Sequence, residues 1–210
     1  MKRNLICPSV LLASACLLSG TGVWAQQNQN PSRHRRAPVS TDLAVTYTAE
    51  RGELAPGKCG CFWMQGAGAD AALTFWKGLA IAASVNNGVA SNIAPNVGLK
   101  KVQFTAGPRY TYTAWTGRDA AASRRLQLFG QGLFGGVHAY DGTFPGPDGV
   151  TASAGSFAIE AGGGLNLLFS KSFGARLLEA DYVRTSLPNN GSNTQTDLRL
   201  AFGMTWHIGR

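Results

Sequence analysis

"TDLRLAFGMTWHIGR", residues 196–210, closes the chain. One parity of this stretch reads Leu198, Leu200, Phe202, Met204, Trp206, Ile208. The other reads Asp197, Arg199, Ala201, Gly203, Thr205, His207. Side chains alternate between faces in a strand, so this is a strand with one apolar side and one small or polar side. The fold turns on whether the apolar side faces a protein core or a lipid bilayer.

The same period of two, broken by turn residues, runs back through most of the chain and predicts seven earlier strands. They fall at 41–50, 62–75, 79–86, 101–114, 126–138, 156–169 and 173–185. The seventh is ambiguous in phase, because Leu177 and Leu178 both compete for the apolar side. Connections 50–61, 87–100, 139–155 and 186–195 are long and rich in Gly, Pro, Asn and Ser. Connections 76–78 and 170–172 are tight, and 115–125 is intermediate. Long and short connections in alternation are the signature of an up-and-down barrel with long outer loops and short periplasmic turns. Pro108, inside the fourth strand, cannot donate to a ladder, and a bulge beside Arg109 is expected there.

The polar parity decides which solvent each face meets. Asp70, Arg109, Glu160, Glu179, Asp181 and Arg199 fall mid-strand on that side, with Gln103, Gln127, Gln131, Asn166 and Thr205. A soluble eight-stranded barrel is apolar inside and polar outside. Here the reverse assignment fits: apolar residues in lipid, charges in the lumen. Tyr47, Trp63, Phe75, Trp76, Tyr112, Trp115, Phe169, Phe173, Tyr182 and Trp206 lie near strand ends, where interfacial girdles form. The expected fold is therefore all-β, an eight-stranded antiparallel transmembrane barrel over residues 41–208. Such a barrel is just wide enough for its side chains to fill. The lumen charges must pair, with Glu160 expected near Arg109, because an unpaired buried charge costs several kcal/mol. Two roles stay open for them: a network that plugs and fixes the barrel, or a gated ion or proton path.

The N-terminus reads as an export signal. Lys2 and Arg3 precede an apolar run, and Val23-Trp24-Ala25 is a small-x-small cleavage site, giving a signal peptide over 1–25. Lipidation at Cys16 is the minority alternative. Residues 26–40 are rich in Gln, Asn and Pro, carry Arg33, Arg35 and Arg36, and read as a disordered basic tail. The chain carries a formal net charge of +8, but charged residues are only 14% and scattered, against 27 glycines. That pattern speaks against nucleic acid as a partner. Cys59 and Cys61, in "KCGC", are too close for an unstrained disulfide and too few for a metal site.

"AGPRYTY" (106–112), "ARLLEADYVRT" (175–185) and "LRLAFGMTW" (198–206) resemble the small outer-membrane β-barrels of the OmpA and OmpX type, in particular versions common in acidobacteria. The resemblance covers nearly all of 41–208. It implies a bacterial outer-membrane location and a structural or surface-contact role. Its implied partners are outer-membrane lipids and lipopolysaccharide, the barrel insertion machinery, and a surface ligand reached through the long loops. One departure is the C-terminus: Trp206 is followed by His-Ile-Gly-Arg, whereas the family usually ends on an aromatic residue.

Other chemistry is weakly signalled. "GQGLFG" (130–135) has dinucleotide-fingerprint spacing but sits in a strand pattern with no following helix. His138, Asp141 and Ser153 could imitate the Ser-His-acid set of lipid A-modifying barrels, but lack the His-x-Ser spacing of those deacylases. His34 and His207 have no such company, and "NGS" at 190–192 reads as a turn. The expectation is a non-enzymatic barrel needing no cofactor or metal. Its rivals are a small channel, a lipid A-modifying enzyme and a soluble lipocalin-like binder. Extraction behaviour separates the last from the others.

Overall fold

A computed structural model of the chain describes residues 39–53, 61–94, 97–117, 124–146, 149–189 and 193–209. The export signal with Cys16, residues 26–38 of the basic tail with His34, Cys59 and the 190–192 turn lie outside the described residues, and Ser40, read as the end of the tail, opens the first strand. Eight strands follow one another: β1 (Ser40–Glu53), β2 (Cys61–Trp76), β3 (Leu79–Ala94), β4 (Val97–Thr116), β5 (Arg125–Gly146), β6 (Gly149–Leu168), β7 (Phe173–Thr185) and β8 (Gln195–Ile208). Each pairs antiparallel with its sequence neighbour, and β8 returns to β1 to close the barrel. Closure pairs every strand on both sides, which a bilayer demands of any sheet that crosses it.

Side chains sort as the parity requires. Leu43, Val45, Ile81, Phe104, Phe134, Ile159 and Phe202 are exposed on the outer wall, whereas Glu160, Asp181 and Arg199 are buried. In the closing strand Leu198, Phe202, Met204, Trp206 and Ile208 face out and are exposed; Leu200 shares that face but is half-buried. All ten expected girdle aromatics are exposed. At the turn end they pack on one another, with Phe173 6.5 Å from Phe169 and 6.0 Å from Trp206 between ring centroids. A polar interior under an apolar belt inverts a soluble barrel and rules out the lipocalin-like arrangement.

The β2–β3 turn shows how tightly the short end is made. Lys77 and Gly78 both take positive φ, at 40° and 89°, the backbone that matches a two-residue hairpin to strand twist. A Cβ on Gly78 would also stand 2.2 Å from the Thr111 carbonyl oxygen. That carbonyl belongs to the residue whose amide donates to Gly78 O at 2.8 Å, so glycine is required here twice over.

Two expectations need correction, and one open phase is resolved. The connections expected at 87–100 and 139–155 are largely strand: β3 and β4 pair as far as Ala94↔Val97, and β5 and β6 as far as Gly146↔Gly149. Gly, Ser and Asn in these stretches signal turns, but cross-strand pairing overrides the local preference. No bulge marks Pro108. Ile81↔Pro108 continues the β3 register, and Ala106↔Phe134 and Arg109↔Gln131 lie on one β5 register; the shift comes later, between Thr113 and Trp115. The phase of β7 is settled by a bulge at the leucine pair. Its partner register slips between Leu165↔Leu178 and Asn166↔Arg176, so Leu177 and Leu178 both face out while Arg176 and Glu179 both face in.

The outward assignment is tested by charge. Phe202→Arg is expected to destabilise the folded barrel in lipid vesicles by about 2–4 kcal/mol, the range for arginine near the bilayer midplane. Val150→Arg, on the strand extension beyond the loop end, is expected to leave the urea midpoint unchanged. Equal losses from the two variants would contradict the assignment.

Candidate functional site: the charged lumen

The lumen charges form three tiers between the turn end and the loop end. The lowest is centred on Asp70 of β2. Its carboxylate accepts from Arg109 Nη1 of β4 at 2.6 Å and from Arg176 Nη1 of β7 at 2.5 Å. Arg176 also donates to Glu179 at 2.7 Å and, through Nε, to Asn166 Oδ1 at 3.1 Å. Both guanidinium groups lie over the Phe129 ring, at 4.8 and 4.7 Å from its centroid, a cation–π arrangement in a desolvated setting. Phe129 fits because the facing wall is glycine: a Cβ on Gly164 would approach its ring to 2.9 Å. On the same strand a Cβ on Gly162 would meet the Asp181 carboxylate at 2.3 Å.

The middle tier joins Arg199 of β8 to Glu160 of β6 at 2.5 Å and to Asp181 of β7 at 3.3 Å. The second Glu160 oxygen accepts from Gln103 Nε2 at 2.9 Å and Thr105 Oγ1 at 3.2 Å. Gln131 links the two tiers. Its Oε1 accepts from Arg109 Nε at 2.9 Å and Nη2 at 2.6 Å, which fixes the amide's orientation. Its Nε2 then donates to Glu179 at 2.8 Å, Asp181 at 3.1 Å and Glu160 at 3.3 Å. Those three buried carboxylates offer oxygens within 4.8 Å of one another. The amide nitrogen stands where a shared cation would have to sit. The top tier, below the loop end, holds Lys101 of β4 against Glu50 of β1 and against Asp197 of β8, the latter at 3.0 Å. Beside it, Val137, Ala139 and Phe144 of β5, Ala158 of β6 and Leu187 beyond β7 form a small apolar cluster.

The six site residues read from the sequence are all in the lumen, and they are joined in two tiers. One expected pairing differs: Glu160 binds Arg199, and Arg109 binds Asp70, the two being connected only through Gln131. Four further charged members complete the network: Glu50, Lys101, Arg176 and Asp197. Asp197 shows the polar parity in the sequence, and Glu50 and Lys101 sit at predicted strand ends. Arg176 is hidden by the β7 bulge; its one signal is the leucine doublet beside it.

Solved structures with the same architecture are available for comparison. The attachment invasion locus protein Ail of Yersinia pestis, in complex with the heparin analogue sucrose octasulfate, superposes with a TM-score of 0.51 at 16% identity, over 82% of this chain and 100% of that one. Neisserial surface protein A superposes with a TM-score of 0.54 at 13% identity, over 79% and 96%. The fold is that of the small eight-stranded outer-membrane β-barrels. No family model matches the chain, and no curated protein matches it in sequence.

Within this outer-membrane barrel fold the remaining motifs take the following places. "GQGLFG" runs inside β5, where a Cβ on Gly135 would strike the Phe104 carbonyl oxygen at 2.0 Å. Asp141 is committed to Lys100 at 2.7 Å, and His138 stacks on Tyr140 with centroids 6.2 Å apart. Ser153 is a strand residue whose carbonyl accepts from Thr151 Oγ1. Among the described residues no hydrogen bond joins His138, Asp141 and Ser153. His207 instead meets Asp42 at 2.5 Å across the β1–β8 seam.

Two perturbations probe the network. Glu160→Ala is expected to cost on the order of 3 kcal/mol in the lipid unfolding stability by leaving Arg199 only its longer contact to Asp181. Adding Arg199→Ala should return part of that loss, whereas adding Arg109→Ala should not. Gln131→Leu, close in size but unable to bond, is expected to lower the midpoint by an amount of similar order, since Arg109 and three carboxylates lose a common partner. Strict additivity of Glu160→Ala with Arg199→Ala would remove the pair.

Proposed function

We propose that this chain is a non-enzymatic bacterial outer-membrane barrel with a structural or surface-contact role, its lumen held shut by the charge network. The observation that carries this reading is the bridging across the lumen: Arg176 of β7 to Asp70 of β2, and Lys101 of β4 to Glu50 of β1 and Asp197 of β8. Side chains reaching from opposite walls leave an eight-stranded barrel filled rather than hollow. The outward apolar belt supports lipid, including lipopolysaccharide, as its surroundings, and insertion by the barrel machinery is the route such a fold requires. Surface contacts would be made at the loop end, where Lys100 and Asp141 are exposed. Ail carries a heparin analogue in its structure, which makes a sulfated polysaccharide the first ligand class to test there.

A second reading, a small gated ion path, draws support from the charge count. Among the described lumen residues Glu50, Asp70, Glu160, Glu179, Asp181 and Asp197 face Lys101, Arg109, Arg176 and Arg199, so acids outnumber bases. Planar-bilayer recording separates the two. The purified protein should show no large, steady conductance, and Asp70→Ala should raise any flickering current by breaking the link between Arg109 and Arg176. A steady porin-scale current from the monomer would overturn the filled barrel.

A further inference from the structure

Three residues singled out in the sequence, His138, Asp141 and Ser153, have no part in the lumen network. They gather instead on one outer face toward the loop end. His138 and Tyr140 share the outward parity of β5, their ring centroids 6.2 Å apart and their planes 24° from parallel. Lys100 of β4 pairs beside Tyr140 on one side, and Ser153 of β6 on the other. The Lys100 ammonium lies 5.9 Å from the Tyr140 ring centroid. Lys100, His138 and Ser153 are exposed. The face begins one register step beyond Phe104 and Phe157 of the apolar outer wall, so it stands past the lipid-facing belt.

Two backbone features shape this face. Gly155 pairs beside His138 and leaves that flank of the imidazole open; a Cβ there would stand 3.7 Å from Nδ1. Asp141 follows Tyr140, and simple alternation would turn it to the opposite face. Its backbone is left-handed, with φ at 59°, inside the β5–β6 irregularity between Tyr140 and Phe144. Bulges re-aim side chains, and here the Asp141 carboxylate reaches Lys100 at 2.7 Å. A non-glycine residue keeps such a backbone where its surroundings hold it, commonly at a functional site.

The chemistry of this set fits a sugar ring. Aromatic faces carry the negative side of a quadrupole and attract the C–H edge of a pyranose. Sugar hydroxyls both donate and accept. Lys100 has donors left after its bond to Asp141, Asp141 keeps a second acceptor oxygen, and the Tyr140 and Ser153 hydroxyls do both. The charges of Lys100 and Asp141 answer each other, so a sulfate would find this lysine already paired. An acyl chain would give the ion pair no role.

We propose that His138, Tyr140, Lys100, Asp141 and Ser153 form a binding site for an uncharged hexose ring of a polysaccharide. The inference rests on the surface-contact reading above and narrows its ligand, at this face, to a neutral sugar.

The test uses the full chain folded in phospholipid nanodiscs, with backbone amide shifts followed during titration with neutral hexasaccharides of glucose, galactose and mannose. At least one series should move the amides of His138, Tyr140 and Ser153. Tyr140→Ala should weaken that binding roughly tenfold, whereas Tyr140→Phe keeps the ring face and should stay within about threefold of wild type. Asp141→Asn retains a residue type that tolerates the left-handed backbone and uncovers the Lys100 charge. Neutral-sugar binding should then fall and binding of a heparin-derived hexasaccharide should rise, a readout that stands if Tyr140→Ala fails to fold. Lipopolysaccharide added to the nanodisc identifies the source of the ring: displacement of the hexasaccharide assigns it to a membrane neighbour, and retention assigns it to a glycan in solution. No shifts from any of the three neutral series, tighter wild-type binding of the sulfated hexasaccharide at these residues, or shifts that Tyr140→Ala leaves unchanged would each overturn the site. Sugar binding by a protein whose loop end is closed to protease on whole cells would keep the site and overturn the surface-contact reading instead.

Discussion

Backbone closure in a medium without water is the constraint on which the rest of this structure depends. Once β8 pairs with β1, the number of strands fixes a narrow bore, and the bore dictates what its walls can carry. Small residues such as Gly162 and Gly164 make clearance for Asp181 and Phe129. Long polar side chains reach across and must find partners in the space left. Most large apolar residues go to the outer wall, where lipid can hold them, and Phe129 is kept inside only because glycine faces it.

The charges do not compete with that packing; they are part of it. Phe129 lies under two guanidinium groups that share one carboxylate, Asp70. Gln131 uses one amide to satisfy an arginine on one side and three acids on the other. In a low-dielectric interior each such group is costly when alone and strong when satisfied. The surplus of acids over bases is met partly by neutral donors: Gln103, Thr105 and Gln131 all donate to carboxylates.

Much of this was legible in the sequence. Alternation is a direct consequence of strand geometry, so the eight strands, their outward residues and six of the lumen charges could be read from parity alone. What could not be read was decided by contacts between strands. The length of β5 and β6 depends on each holding the other in register against local turn preferences. The bulge at Leu177 and Leu178 shifts parity midway along β7 and conceals Arg176. Which acid meets which base depends on stagger around the barrel, a quantity that no single strand encodes; Glu160 therefore found Arg199 in place of Arg109.

The bond from Arg176 to Asp70 joins the penultimate strand to the second. The partners are 106 residues apart in sequence, and they can meet only when the sheet has curled nearly shut. Neither can wait in the hydrocarbon alone while the other is delivered. Completion of the wall and neutralisation of its interior are then one cooperative event. A half-inserted sheet would carry its charges into lipid unanswered, so partly assembled intermediates should be scarce and the passage from the aqueous side to the finished barrel should behave as a single kinetic step.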